Sequence, residues 1–164
     1  MTVTKAVEET LELSRLFPPE AIVVGLESTS KHAVIAALVR RLVTLGSIPQ
    51  REEQGFVSAI MAREILGTTA LGNGVAFPHV RTRLTNRLLG ALGLEPGGIA
   101  FDALDRSPVY GVFLLVAPEN ATKEYFEVLG RITAIGKDKS LRLQLRGCRS
   151  AEAAHRFLQE LDAQ

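Results

Sequence analysis

Residues 63–79 read REILGTTALGNGVAFPH, from Arg63 to His79, and this stretch organises everything around it. A helix predicted over Arg51 to Leu66 ends at Gly67. A loop follows from Gly67 to Gly74, then a short strand, Val75-Ala76-Phe77. Pro78 has no N–H to give and is expected to end that strand's ladder. His79 comes immediately after, at a strand end where a side chain can face a cleft. The loop glycines Gly67, Gly72 and Gly74 allow backbone N–H groups to approach a ligand closely. Thr68, Thr69 and Asn73 add short hydrogen-bonding side chains. A neutral imidazole, with an unperturbed pKa of about 6.5, is a competent nucleophile at neutral pH. Attack on a phosphoryl group would form a phosphoramidate, and catalysis would depend on alignment and positive charge. Arg63 is the nearest upstream source of that charge. The local chemistry also fits a structural or merely exposed histidine, and an arginine in a last helical turn that only meets the helix dipole.

Upstream, Ala21 to Leu26 is an apolar run of strand length. Ser28, Thr29 and Ser30 offer N-caps for a helix to about Leu45, closed by Gly46. Val34, Leu38, Leu42 and Leu45 on one side, and Ile35, Val39 and Val43 on the other, predict a helix packed on two sides. The helix over 51–66 carries an apolar stripe of Val57, Ile60, Met61 and Ile65. Downstream, Leu88 to Leu94 and Val109 to Val116 are the best strands, separated by a turn at Glu95-Pro96-Gly97-Gly98 and a short run from Ile99 to Phe101. Pro118 closes the last strand. Thr122 to about Gly136 is predicted helical, with Phe126, Leu129, Ile132 and Ala134 or Ile135 inward. Lys139 to Leu145 and Ala151 to Leu161 form two more helices. Strands flanked by helices in this order predict an α/β fold, a three-layer sandwich with a mixed central β-sheet and helices on both faces. Residues 1–12 are a polar lead-in or short helix, and 13–164 a single domain with no internal repeat.

Composition narrows the function classes. With 19 Lys+Arg against 18 Asp+Glu, the net charge of +1 gives no electrostatic reason to expect nucleic acid or an anionic membrane as partner. One cysteine, Cys148, cannot form an internal disulfide, which fits a reducing, cytoplasmic setting. No apolar stretch approaches the ~20 residues of a membrane helix, and the N-terminus lacks a signal core. Three histidines and one cysteine with no close pair give no metal spacing, and no cofactor is implied. Gly72-Asn73-Gly74 follows a helix rather than opening one, unlike a dinucleotide fingerprint. A hydrolase triad of Ser58, Asp102 and His79 has no nucleophile-elbow motif behind it.

Arg63-Glu64, Gly67-Thr68-Thr69 and Gly72-Asn73-Gly74-Val75-Ala76-Phe77-Pro78-His79 together resemble the active-site signature of type-2 enzyme IIA domains of the phosphoenolpyruvate-dependent phosphotransferase system, the mannitol/fructose/nitrogen-regulatory family. Ile99 to Asp105, Pro108-Val109 and Val112 to Pro118 resemble the segment that follows, and the likeness runs from Leu13 to Leu161. It implies that His79 is the phosphohistidine and Arg63 the phosphate-stabilising arginine. Thr68, Thr69, Gly72, Asn73, Gly74 and Tyr125 would shape the pocket. The implied donor is a histidine-containing phosphocarrier protein, and the implied partners are an enzyme IIB or regulated transporter and kinase proteins. Three positions depart from the pattern. Ala70 stands where glycine is usual. Val80 follows the histidine where a small residue is usual, and its bulk is expected at the cleft mouth. Tyr125 stands where many sugar-specific members have a second histidine. A tyrosine donates a hydrogen bond but is no cation at neutral pH.

The remaining basic and imidazole groups have plainer readings. Arg81, Arg83 and Arg87 form a basic rim or a solvated loop; Arg142, Arg146 and Arg149 line an exposed helical face. His32 reads as a surface or capping residue, and His155 as part of a terminal helix. Two functions fit: a phosphocarrier, nitrogen-regulatory-like because no IIB or IIC sequence is present and Tyr125 replaces histidine, or a non-catalytic regulatory binding module that keeps the fold.

Overall fold

The computed structural model describes residues 11–27 and 29–164, so the lead-in over 1–10 and the capping role of Ser28 lie outside the described residues. Its strands are β1 (Ile22–Val24), β2 (Val75–Ala76), β3 (His79–Thr82), β4 (Leu89–Ile99) and β5 (Val109–Pro118). Its helices are α1 (Leu13–Leu16), α2 (Lys31–Thr44), α3 (Glu53–Leu66), α4 (Thr122–Lys137), α5 (Lys139–Gly147) and α6 (Ala151–Asp162), with short 3-10 turns at Pro19–Ala21 and Gln50–Glu52. The sheet order is β1-β4-β5-β2, with β3 also on β5. β1 runs parallel to β4, β4 antiparallel to β5, and both β2 and β3 parallel to β5.

β5 is central because it is apolar on both faces. Val112, Leu114 and Val116 point to one side, where they pack with Val34, Ile35, Leu38 and Val39 of α2 and Phe56, Val57 and Ile60 of α3. Phe113, Leu115 and Ala117 point to the other, against α1, α4, α5 and α6. The result is the predicted mixed α/β sandwich. Ser30 caps α2, its hydroxyl accepting from the Ala33 N–H at 3.2 Å.

Five expectations are corrected. Pro78 interrupts the ladder but does not end it: β3 resumes at His79 on the same edge of β5, pairing His79 with Leu115 and Val80 with Val116. Glu95 to Gly98 is a bulge inside β4, not a turn between strands, since Ile99 still pairs with Val109. Pro96 has no N–H for the ladder there, and the Glu95 carboxylate holds the bulge by accepting from the Leu26 and Gly97 N–H groups. Ile65 is 81% exposed because α3 turns Glu64 inward, and a residue 100° further round faces out. Phe126 is 60% exposed for the same reason: the inward row of α4 is Val128, Ile132, Ile135 and Gly136. α2 also buries one broad face rather than two sides, leaving Leu45 exposed.

Candidate functional site

His79 opens β3 on the outer edge of the sheet, where the end of α3 from one layer and the start of α4 from the other converge. Strand alternation turns His79 and Arg81 toward α4 and sends Val80 the opposite way, into the core beside α2 and α3. The expected crowding by Val80 at the cleft mouth is therefore corrected.

The imidazole is held at both nitrogens. Nδ1 lies 2.9 Å from the Phe77 carbonyl oxygen. A carbonyl only accepts, so Nδ1 carries the proton and the neutral ring presents its lone pair at Nε2. Nε2 lies 3.0 Å from the Tyr125 hydroxyl, which donates to it. The Phe77 ring stacks on the imidazole at 5.3 Å between centroids, and the Tyr125 ring lies at 5.1 Å. Burial depresses the His79 pKa below its usual value. The Phe77 carbonyl and Glu64 oppose that shift, while the nearby Arg63 and Arg81 reinforce it. Burial raises the Tyr125 pKa, keeping its hydroxyl protonated. The site thus holds a neutral, oriented imidazole within the influence of two guanidinium groups.

Each guanidinium is tethered. Arg63 Nη1 donates to the Gly67 carbonyl at 2.8 Å, closing the last turn of its own helix. Arg81 Nη2 donates to the Glu119 carbonyl at 2.7 Å and to Thr122 Oγ1 at 2.6 Å, and its guanidinium lies over the Tyr125 ring at 5.6 Å.

The loop residues are mostly engaged in building the loop. Glu64 is 5% exposed, and its carboxylate accepts from the Thr69 hydroxyl, from the Thr69 N–H at 3.2 Å and from Lys31 Nζ at 3.2 Å. Lys31 also lies over the Phe101 ring at 4.8 Å. Thr68 Oγ1 donates to the Phe101 carbonyl and accepts from the Ala70 N–H. Ala70 is fully buried and is not among the non-glycine residues with positive φ, so a Cβ sits there without strain. Asn73, at φ 62, donates its N–H to Asp105 at 3.0 Å. Gly72 lies against the same carboxylate, where an added Cβ would stand 3.1 Å from Asp105 Oδ2. Gly74 has φ +79, and its missing Cβ would stand 3.0 Å from the Tyr110 ring. Thr69, Gly72 and Asn73 line a cleft of ≈330 Å³ with Phe77, Leu129 and Thr133. The structure thus brings His79, Tyr125, Arg63 and Arg81 together, while Thr68, Thr69 and Gly72 to Gly74 shape the ground behind them.

Sequence reasoning missed Glu64 and Lys31 as the loop's anchor, and Arg81 as more than a rim residue. The i, i+2 spacing of His79 and Arg81 on one strand was the available signal for Arg81. His32 is exposed, and His155 Nε2 donates to the Ser14 carbonyl at 2.9 Å, tying α6 to α1. Among the described residues no His, Cys, Asp and Glu group is arranged to hold a metal ion, and no helix is long and apolar enough to cross a membrane.

The chain is similar to known proteins along most of its length. The family model described as "Phosphoenolpyruvate-dependent sugar phosphotransferase system, EIIA 2" matches residues 15–161. A nitrogen regulatory protein of Pseudomonas aeruginosa is 34% identical over 151 residues, spanning 90% of this chain and 95% of the relative. One from Bradyrhizobium diazoefficiens is 32% identical over 148 residues, with the same coverage of 90% and 95%. The crystal structure of nitrogen regulatory protein IIA-Ntr from Neisseria meningitidis superposes with a TM-score of 0.79 at 34% identity, covering 88% of this chain and 97% of that one.

Proposed function

The chain belongs to the type-2 enzyme IIA family of the phosphoenolpyruvate-dependent sugar phosphotransferase system, and on that premise we propose that it is a cytoplasmic phosphohistidine carrier of nitrogen-regulatory type, charged at His79. The observation that carries this reading is the pinned tautomer: Phe77 holds the proton on Nδ1, which leaves the Nε2 lone pair toward Tyr125, with the charges of Arg63 and Arg81 acting on the ring.

The donor is a histidine-containing phosphocarrier protein. Nε2 of His79 attacks phosphorus in line, the donor's P–N bond breaks, and its electron pair returns to the donor imidazole. The Nδ1 proton stays on His79, where the Phe77 carbonyl stabilises the positive charge that the ring gains. Arg63 and Arg81 offset the negative charge on the phosphoryl oxygens. Keeping Nδ1 protonated also keeps the new P–N bond easy to break. The group can then pass to an enzyme IIB, or its presence can alter binding to regulated transporter or kinase proteins. The names of the nitrogen regulatory relatives favour the second role.

A second reading, a non-catalytic binding module, draws on Tyr125, whose hydroxyl occupies the place a phosphorus atom must take. Incubation with phosphoenolpyruvate, enzyme I and the carrier protein separates the two. One acid-labile, base-stable phosphate per chain supports the carrier. A chain that stays unlabelled while still binding its partner supports the module.

A further inference from the structure

On the premise that His79 takes the phosphoryl group, we propose that Tyr125 and Arg81 form the device by which the charged state of His79 is reported to the first turn of α4. The argument starts from one lone pair. In the resting chain Nδ1 is committed to the Phe77 carbonyl, and Nε2 accepts from the Tyr125 hydroxyl at 3.0 Å. Once Nε2 is bonded to phosphorus it has no lone pair left to accept with. A phosphorus and its oxygens also cannot fit within a 3.0 Å gap. Phosphorylation must therefore break the Tyr125–His79 hydrogen bond and push the two groups apart.

The displaced ring is not free to swing alone. Arg81 lies over it at 5.6 Å, and the same guanidinium bonds the Glu119 carbonyl and the Thr122 hydroxyl. Thr122 is the first residue of α4, and Glu119 directly follows β5. The Tyr125 ring also meets Phe126 edge to face at 5.2 Å, and Phe126 is 60% exposed. The Tyr125 N–H is bonded to the Ala121 carbonyl within this same turn. New phosphoryl oxygens compete for Arg81, because a charge-assisted bond to a phosphoryl oxygen is stronger than one to a carbonyl or hydroxyl. The incoming group thus removes Tyr125's acceptor and draws on Arg81's tether at once. Its effect emerges at an exposed aromatic that a partner can touch. Arg81 thus meets the phosphoryl group and, through Tyr125 and Thr122, also ties it to α4.

The test uses the full chain and a small-molecule donor, phosphoramidate, whose P–N bond breaks with release of ammonia as the His79–P bond forms. This bypasses the protein donor, so failure of the carrier protein to label the chain counts against the proposed function alone. Amide exchange at Tyr125 and Phe126 and the aromatic NMR signals of both residues are read before and after labelling. In the labelled chain exchange at these two amides rises about fivefold, the factor a single ordinary hydrogen bond supplies. His79→Ala shows part of that rise without any label, because it removes the acceptor but brings no oxygens to draw on Arg81. Tyr125→Phe and Arg81→Gln each show a reduced labelling-dependent change. Three results overturn the proposal: identical α4 signals in labelled and unlabelled chain, a full response in Tyr125→Phe, or failure of phosphoramidate to reach His79 at all. If Tyr125→Phe does not fold, a full response in Arg81→Gln overturns it equally.

Discussion

Two polar clusters flank the loop over 67–74, and they are built on opposite plans. The one beneath it, Glu64 with Thr69 and Lys31, is closed: a buried carboxylate meets three donors and has no work left to do but hold the chain. The one at the sheet edge, His79 with Tyr125, Arg63 and Arg81, is exchangeable. Its key hydrogen bond joins a neutral hydroxyl to a neutral nitrogen, and both guanidinium groups are tied to carbonyls that a phosphoryl group can outbid. A fully satisfied buried network fixes geometry, because leaving any member unpaired is expensive. A partly exposed cluster of modest bonds can change partners. The chain thus places its rigidity one shell behind its chemistry.

Substitutions can break this contrast, and the largest effect is expected at His79. His79→Ala should abolish phosphoryl labelling while the thermal midpoint changes little, seen by intact-protein mass spectrometry beside calorimetry. Arg63→Ala should slow labelling by about a hundredfold, the scale for losing one oriented charge donor, with stability again nearly unchanged. Lys31→Met should do the reverse. It leaves the Glu64 carboxylate buried without its cation, which should cost about 2 kcal/mol and lower the melting temperature by roughly 4–8 °C. Labelling should persist below the new midpoint. If Lys31→Met were as stable as the parent, the closed cluster would not be the anchor described.

Smaller effects sharpen the picture. Burial acts to raise the Asp162 pKa, but hydrogen bonds from Ser14 and Leu13 and the charge of Arg131 outweigh it, so the carboxyl sits below its ordinary range. A depressed carboxylate stabilises the fold above its unfolded pKa of about 3.9 and loses that contribution as pH falls through the folded value. Acid unfolding of Asp162→Asn should therefore be shallower than that of the parent below about pH 4. At His79 the shift is also downward. The nucleophile is then neutral throughout the range above its ordinary value, and phosphoramidate labelling should stay flat from about pH 8 to 6.5, declining only below. An NMR titration that placed the His79 midpoint above 6.5 would contradict the burial described for it.

Much of this was legible before any coordinates. Two-sided burial of β5 follows from an unbroken apolar run, and the helix–loop–strand order around Arg63 to His79 follows from its glycines and proline. The errors have a common form. Ile65 and Phe126 were assigned inward because they are apolar, yet both point out beside a polar neighbour that points in, Glu64 and Tyr125. Hydrophobic pattern cannot detect a polar side chain that is buried because partners distant in sequence await it.

The amino-acid order alone determined the layers of the sandwich and the position of the loop, because periodicity, glycine and proline act locally. Only the tertiary structure decided that the Tyr125 hydroxyl meets Nε2 of His79, that Lys31 anchors Glu64, and that Arg81 reaches α4. Each of these is a contact between residues some 30 or more apart, and such contacts exist only once the chain has closed on itself.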